Sequence, residues 1–413
     1  MTVIAPVTYI ALLRSLPALR RLWIGGAIST FGDAVQGVAL VWLATQTSSP
    51  GVSVSIVTTA LYLPAVLIGP FAGTIADRID RRRLLVTADV LRVATAGLVP
   101  LAFVHSGLWP VVAITLVHSA FTALFNAAQT AAVPDVTGPG SLVRANGLLS
   151  STNYTMLVAG PAVGGFLVAG TPTAVPFLLN AATFAFSAVM VLLIPATALA
   201  APARDEHVTF LADLRAGVRY ARHRPPIVLY MIIGVVATLG FAPAPVALPS
   251  FANELGVGSV GFGLIASIGS LGYAVGSVLV GTIKPARAAT ALAVGFLAMG
   301  AATLALSVAP GLVLALVLVA LRSGCNAVTL VTGLSMLQRM VPSALRGRII
   351  TLTNSVQELP RPFVLPAAGF VIDATGARPI FAAMGVLIML SGAIATAARK
   401  TLQTAHDAEE GAA

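Results

Sequence analysis

This chain has little charge. Only 9% of its 413 residues are Asp, Glu, Lys or Arg, against about a quarter in a typical soluble domain, so an ordinary water-facing surface cannot be built from it. There is one cysteine, Cys325, which excludes an intrachain disulfide and any paired-cysteine metal site. No phosphate loop, HExxH or G-x-S-x-G element occurs. Gly256-Val-Gly258-Ser-Val-Gly261 matches a dinucleotide fingerprint literally, but it sits in a loop with no strand before it, so turn glycines account for it. Nothing here points to an enzyme, and no cofactor or metal is expected.

What is present is apolar. Hydrophobic residues make up 57% of the chain, mean hydropathy is +0.95, and the apolar runs recur at spans near the ~20 residues that cross a bilayer as helix. They predict twelve transmembrane helices, at about 22–44, 54–76, 84–105, 109–132, 147–169, 174–198, 227–250, 260–283, 288–308, 311–335, 349–373 and 378–398. Barrel strands are excluded, because they alternate apolar and polar residues over roughly ten positions and these runs do not. The first run is too long for a signal peptide, contains Asp33 and lacks an obvious cleavage site, so it is expected to stay.

The net charge of +10 follows topology rather than a nucleic-acid partner. Arg14, Arg20 and Arg21 precede the first helix, Arg81, Arg82 and Arg83 follow the second, and Arg339, Arg346 and Arg348 follow the tenth, whereas the opposite loops hold only Arg378. The positive-inside rule then places both termini in the cytoplasm of a multi-pass protein of the bacterial cytoplasmic membrane.

The polar segment from Pro195 to Pro226 separates two halves. The expected domains are an N-terminal six-helix bundle over 1–197, a cytoplasmic linker over 198–226 and a C-terminal six-helix bundle with a short tail over 227–413. In the linker, Phe210, Leu211, Leu214, Val218 and Ala221 share one helical face and Arg215, Arg219 and Arg222 another, the pattern of a helix lying on the lipid surface or tethering the halves. Weak echoes join the halves: Gly73-Thr-Ile75 recurs as Gly281-Thr-Ile283, and Val133-Pro134 as Val341-Pro342.

The stretch GTIADRIDRRR, from Gly73 to Arg83, crowds charge between two apolar runs. With the helix count, the duplication and the long central loop, it resembles the major facilitator superfamily over essentially the whole chain. The family's loop motif, G-x-x-x-D-R-x-G-R-R/K, maps onto Gly73, Asp77, Arg78, Arg81 and Arg82, with Asp80 at the usual glycine. The glycine-proline element of exporters is matched in the fifth helix by Gly160, Pro161, Gly164 and Gly165. The first helix, from Arg21-Leu-Trp23 to Trp42, is similar to the subgroup of enterobactin exporters and macrolide efflux proteins. The fourth helix carries His118 but not the arginine of many proton-coupled exporters. The resemblance implies an all-α membrane protein of two pseudo-symmetric six-helix bundles, with helices 1, 4, 7 and 10 around a central cavity.

Ionisable groups deep in membrane helices are costly and mark function by default. Asp33, His118 and Glu358 are the candidates for proton coupling, and Gln36, Asn126, Asn153, Tyr154, Phe241 and Arg322 for the substrate cavity. Asp33 either carries the coupled proton or forms a fixed pair, for example with Arg322. Glu358 and Arg361, three residues apart, suit an internal ion pair. Asp77, Arg78, Arg81 and Arg82 suit a charged gate or simply fix topology. Asp89 and Arg92 read as supports of the cytoplasmic loop. Prolines 243, 245 and 249 predict a bent or broken seventh helix.

The expected function is secondary export of a small amphipathic compound in exchange for protons, by a chain acting as a monomer in the lipid bilayer. A dedicated siderophore or secondary-metabolite exporter, an importer, and a lipid-handling or sensor protein on the same fold are the alternatives.

Overall fold

The computed structural model describes residues 9–138, 141–199 and 218–407; the side chains of Gly73, Asp77 and Arg78 fall outside the described set, as does most of the expected linker helix. Every regular element among the described residues is helical. In chain order these are α1 (Tyr9–Ser15), α2 (Pro17–Ala44), α3 (Pro50–Arg78), α4 (Arg81–Ser106), α5 (Leu108–Thr137), α6 (Leu142–Gly170) and α7 (Ala174–Leu192). They are followed by α8 (Pro225–Phe241), α9 (Ala244–Glu254), α10 (Gly258–Leu279), α11 (Ala288–Leu306), α12 (Leu312–Arg339), α13 (Ser343–Glu358), α14 (Arg361–Thr375), α15 (Ala377–Ala397) and α16 (Arg399–Asp407), with short 3-10 turns between some of them. A continuous apolar run has no other way to satisfy its backbone in lipid.

Among the described residues, eleven spans are long and apolar enough to cross a membrane. The expected eleventh, at 349–373, is interrupted at Leu359–Pro360 into α13 and α14, of 16 and 15 residues. Pro360 and Pro362 supply no N–H, and each ring would crowd the carbonyl four residues back. The seventh span breaks the same way at Ala242–Pro243, between α8 and α9. In the fifth, by contrast, α6 runs unbroken through Pro161.

The described chain forms two compact units: Met1–Gln46 with Ile56–Asp205, and Thr47–Ser55 with Glu206–Ala413. In the first unit α2 packs on α6 and α7, and α4 on α5 and α7; in the second α11 packs on α15 and α12, and α10 on α12. Small residues allow these approaches. A Cβ at Gly164 would stand 2.8 Å from the Val35 carbonyl of α2, and one at Gly160 would stand 2.5 Å from the Ala34 Cβ. Cβ atoms at Gly272 and Gly276 would collide with the Ala320 and Gly324 backbone of α12. Gly256 and Gly258 take φ of +68° and +60°, so the apparent nucleotide fingerprint is the left-handed turn between α9 and α10.

Helix ends account for many of the loop charges. Asp80 accepts a hydrogen bond of 2.8 Å from the Arg83 amide and so caps α4, which gives a physical reason for an acid at the position where the family motif has glycine. Arg81 pairs with Asp135 near the end of α5. Arg82 donates to the Leu192 carbonyl and Arg21 to that of Leu193, at 2.6 Å, where positive charge meets the negative end of α7.

In the second unit Arg378 donates to the Ser307 and Ala309 carbonyls, both at 3.0 Å, beyond the end of α11. It also lies 3.7 Å from Glu254, whose other oxygen accepts from the Ala377 amide. The sole basic residue in the loops opposite the basic ones thus ties three helix ends together. Arg378→Ala should unpair these acceptors and cost about 1–3 kcal/mol, read as a lower thermal midpoint in detergent; an unchanged midpoint would remove this role.

Candidate functional site

Polar residues gather at two places, one in each unit. In the first unit the centre is Arg92. Counted from the start of α4, Asp89 and Arg92 lie eight and eleven residues in, roughly 12–17 Å along the axis, well inside an apolar helix. Both are buried and joined side chain to side chain. The Arg92 guanidinium is stacked between two phenyl rings, 3.9 Å from the centroid of Phe125 and 4.3 Å from that of Phe184, contacts worth about 2 kcal/mol when desolvated. Its Nη1 lies 3.8 Å from the Asp33 carboxylate.

Two further groups flank Asp33. His118 places Nε2 at 3.7 Å from it, and its Nδ1 lies 2.9 Å from the Thr95 hydroxyl. Asn180 donates from Nδ2 to Asp33 at 3.2 Å and to Gln36 at 2.9 Å, while its own carbonyl oxygen accepts from Thr183 at 2.9 Å. Gly32 makes this possible, since a Cβ there would overlap Asn180 and Thr183. Gly160 and Gly164 of the exporter-like element pack on Ala34 and Val35, next to Asp33 in the chain, and so set the depth of the carboxylate.

The cluster holds two carboxylates, one arginine and one histidine. With His118 neutral it is one positive charge short, and a single added proton balances it. Asp33 is the half-buried member of the cluster.

The second unit encloses a cavity of about 430 Å³, within the usual range for small organic ligands. Tyr230, Phe241 and Phe296 give it an aromatic wall, and Asn326, Asn354 and Gln357 supply amides. Gly234 leaves the room that Gln357 occupies. The two helix breaks place its charged groups: Glu358 ends α13, Arg361 opens α14, and they pair through both carboxylate oxygens. Each stands at the helix end whose dipole opposes its sign, so each depends on the other for neutralisation. Arg361 also lies 5.5 Å from the Phe241 ring.

The two sites gather the expected residues unevenly. Asp33, His118 and Gln36 meet in the first unit, and Phe241, Glu358 and Arg361 meet in the second. The arginine facing Asp33 is Arg92, from the pair expected to support a loop. Arg322 is buried in α12. Asn126 and Asn153 are exposed, and Asn153 accepts from Thr30 at 3.5 Å; Tyr154 is half-buried. Asp89, Tyr230, Asn326, Asn354 and Gln357 were not among the expected site residues. Depth along α4 could have exposed Asp89 and Arg92, since a loop support has no reason to sit two turns inside a helix.

Comparison with known proteins gives the class. The model of the Major Facilitator Superfamily matches residues 22–363 and 230–412, and the chain belongs to that superfamily, a family of multi-pass membrane transporters and not of enzymes. Among curated relatives, the multidrug efflux pump Tap of Mycobacterium tuberculosis is 28% identical over 388 residues, covering 88% of this chain and 89% of the pump. Macrolide efflux protein A of Streptococcus pyogenes is 20% identical over 376 residues, covering 89% and 92%. The solved nucleoside transporter NupG superposes with a TM-score of 0.70 at 13% identity over 92% of this chain and 98% of that one. A bacterial homologue of the iron transporter ferroportin gives 0.68 at 15% identity over 94% and 99%. These two likenesses establish the fold.

Removing one partner from a buried pair is expected to cost about 3–5 kcal/mol. Arg92→Gln should therefore strand Asp89 and sharply lower the yield of monodisperse protein, and adding Asp89→Asn should restore much of it. A double variant no better than Arg92→Gln alone would show that the two do not compensate one another.

Proposed function

We propose that this transporter exports small amphipathic compounds across the bacterial cytoplasmic membrane, in exchange for protons and by alternating access, with both termini in the cytoplasm. The observation that carries the proton half is the charge deficit of the Asp33–Asp89–Arg92–His118 cluster. Arg92 is held by Asp89 and two aromatic rings, and Asp33 and His118 remain to take one proton between them. Glu358 is the weaker proton candidate because Arg361 engages both its oxygens. The substrate half rests on the aromatic and amide-lined cavity of the second unit. The names of the Tap and macrolide efflux relatives support the outward direction. The loop residues Asp77, Arg78, Arg81 and Arg82 are proposed to bias the transport cycle, Arg81 and Arg82 through the helix ends they hold.

The test is Asp33→Asn, which keeps size and hydrogen bonding but removes the titratable group. The variant should fold, because Asn180 can still donate to it, and Arg92 keeps Asp89. In proteoliposomes it should lose uphill transport driven by a pH gradient while retaining downhill exchange, across a panel of cationic, neutral and anionic amphipathic drugs. Wild-type protein in weakly buffered detergent should release protons when the best-transported drug is added, and the variant should not. Unchanged release in the variant would sink the role of Asp33 and move it to His118 or Glu358.

A further inference from the structure

Among the described residues of the second unit, Arg322 is a deep charge that the pairs above leave unmatched. It is 8% exposed, its Nε is buried without a hydrogen-bond partner, and among the described residues no ion pair or hydrogen bond forms to its side chain. A guanidinium does not escape by losing its proton, and an isolated charge in a membrane interior is costly enough to demand a counter-charge. The other deep arginines of this chain obey that rule, Arg92 through Asp89 and Arg361 through Glu358.

Its register on α12 says where a counter-charge would come from. Asn326 and Thr329 follow Arg322 by four and seven residues, which puts the three on one helical face, and Asn326 and Thr329 line the 430 Å³ cavity. Arg322 therefore stands one turn beyond the cavity wall, on the stripe that faces it. The charges that line the cavity itself, Glu358 and Arg361, cancel. The cavity and its margin thus carry one surplus positive charge beside an aromatic wall and three amides.

We propose that the second-unit cavity takes an amphipathic compound bearing one anionic group, a carboxylate or its equivalent, with Arg322 as the counter-charge. The aromatic wall of Tyr230, Phe241 and Phe296 receives the apolar body, and the amides of Asn326, Asn354 and Gln357 fix its orientation. The proposal rests on the reading of this cavity as the substrate site and narrows its substrate class. It does not depend on the direction or the coupling of transport.

A matched pair of probes, 2-naphthylacetic acid and 2-naphthylacetamide, differs in charge but hardly in size. Binding of each to the full-length purified protein in lipid nanodiscs, at 0.15 M salt and without any gradient, should favour the acid by about tenfold or more, as expected for a charge-assisted bidentate contact. Arg322→Gln should bring the acid down to the affinity of the amide and leave the amide unchanged, and Arg322→Lys should keep part of the preference as a point charge. Without probe, Arg322→Gln should have a thermal midpoint equal to or above that of the wild type, because it removes an unmatched charge. Equal affinity of both probes for the wild type, binding of neither, or a preference that survives Arg322→Gln would overturn the proposal. So would a fall in the midpoint or a failure of Arg322→Gln to fold, since either would reveal a structural partner. Wild-type protein that prefers the acid but moves neither probe out of energised vesicles would support the site assignment and count against the export reading alone.

Discussion

The interaction on which the first unit depends is the burial of Arg92. Its guanidinium stays charged at any depth, so the chain must surround it with groups that accept that charge without water. Two phenyl rings and the Asp89 carboxylate do this, and the arrangement fixes α4 against α5 through Phe125 and against α7 through Phe184. Once Arg92 is matched by Asp89, a second carboxylate nearby is in excess. Asp33 is that excess group, surrounded by an amide, an imidazole and the arginine.

Close helix contact is what brings the pieces within reach. Gly32 admits Asn180, Gly160 and Gly164 admit the backbone of α2, and Gly234 admits Gln357. In water such glycines would weaken a helix. In lipid, where apolar burial between helices gains little, they are how interfaces close. The glycine-proline element of α6 therefore has a direct physical link to Asp33, since it packs on the two residues that follow that carboxylate.

Much of the architecture was legible because it rests on composition alone. Long apolar runs must be helices, and Pro243 does break the seventh span as its chemistry requires. The interruption at Leu359–Pro360 was passed over, although Pro360 and Pro362 signal it in the same way, because the apolar run continued on both sides. The site was legible only in part. Asp33, His118, Glu358 and Arg361 stand out as rare charges in apolar sequence, and the spacing of Glu358 and Arg361 gives their pairing, but what meets Asp33 is decided by contacts between helices distant in the chain. Asp89 stands three residues before Arg92 in the sequence, but only packing shows the two rings around that arginine and, among the described residues, no carboxylate beside Arg322. Amides such as Gln357 and Asn354 carry no distinguishing signal, since polar residues on a helix serve packing and binding equally.

The two sites differ in charge sign, and that difference has an electrical consequence. The first-unit cluster has room for one proton, and the second-unit cavity has one surplus positive charge. On the proposed roles, a cycle that carries one proton inward and one monoanion outward moves two elementary charges in the same direction. At about 2.3 kcal/mol per charge for each 100 mV, the membrane potential alone supplies roughly 5 kcal/mol per turnover. The exchange of a proton for a monocation would move none. The absence of a carboxylate beside Arg322 would thus make the transporter a device driven chiefly by voltage, able to run in cells that hold little pH difference across their membrane.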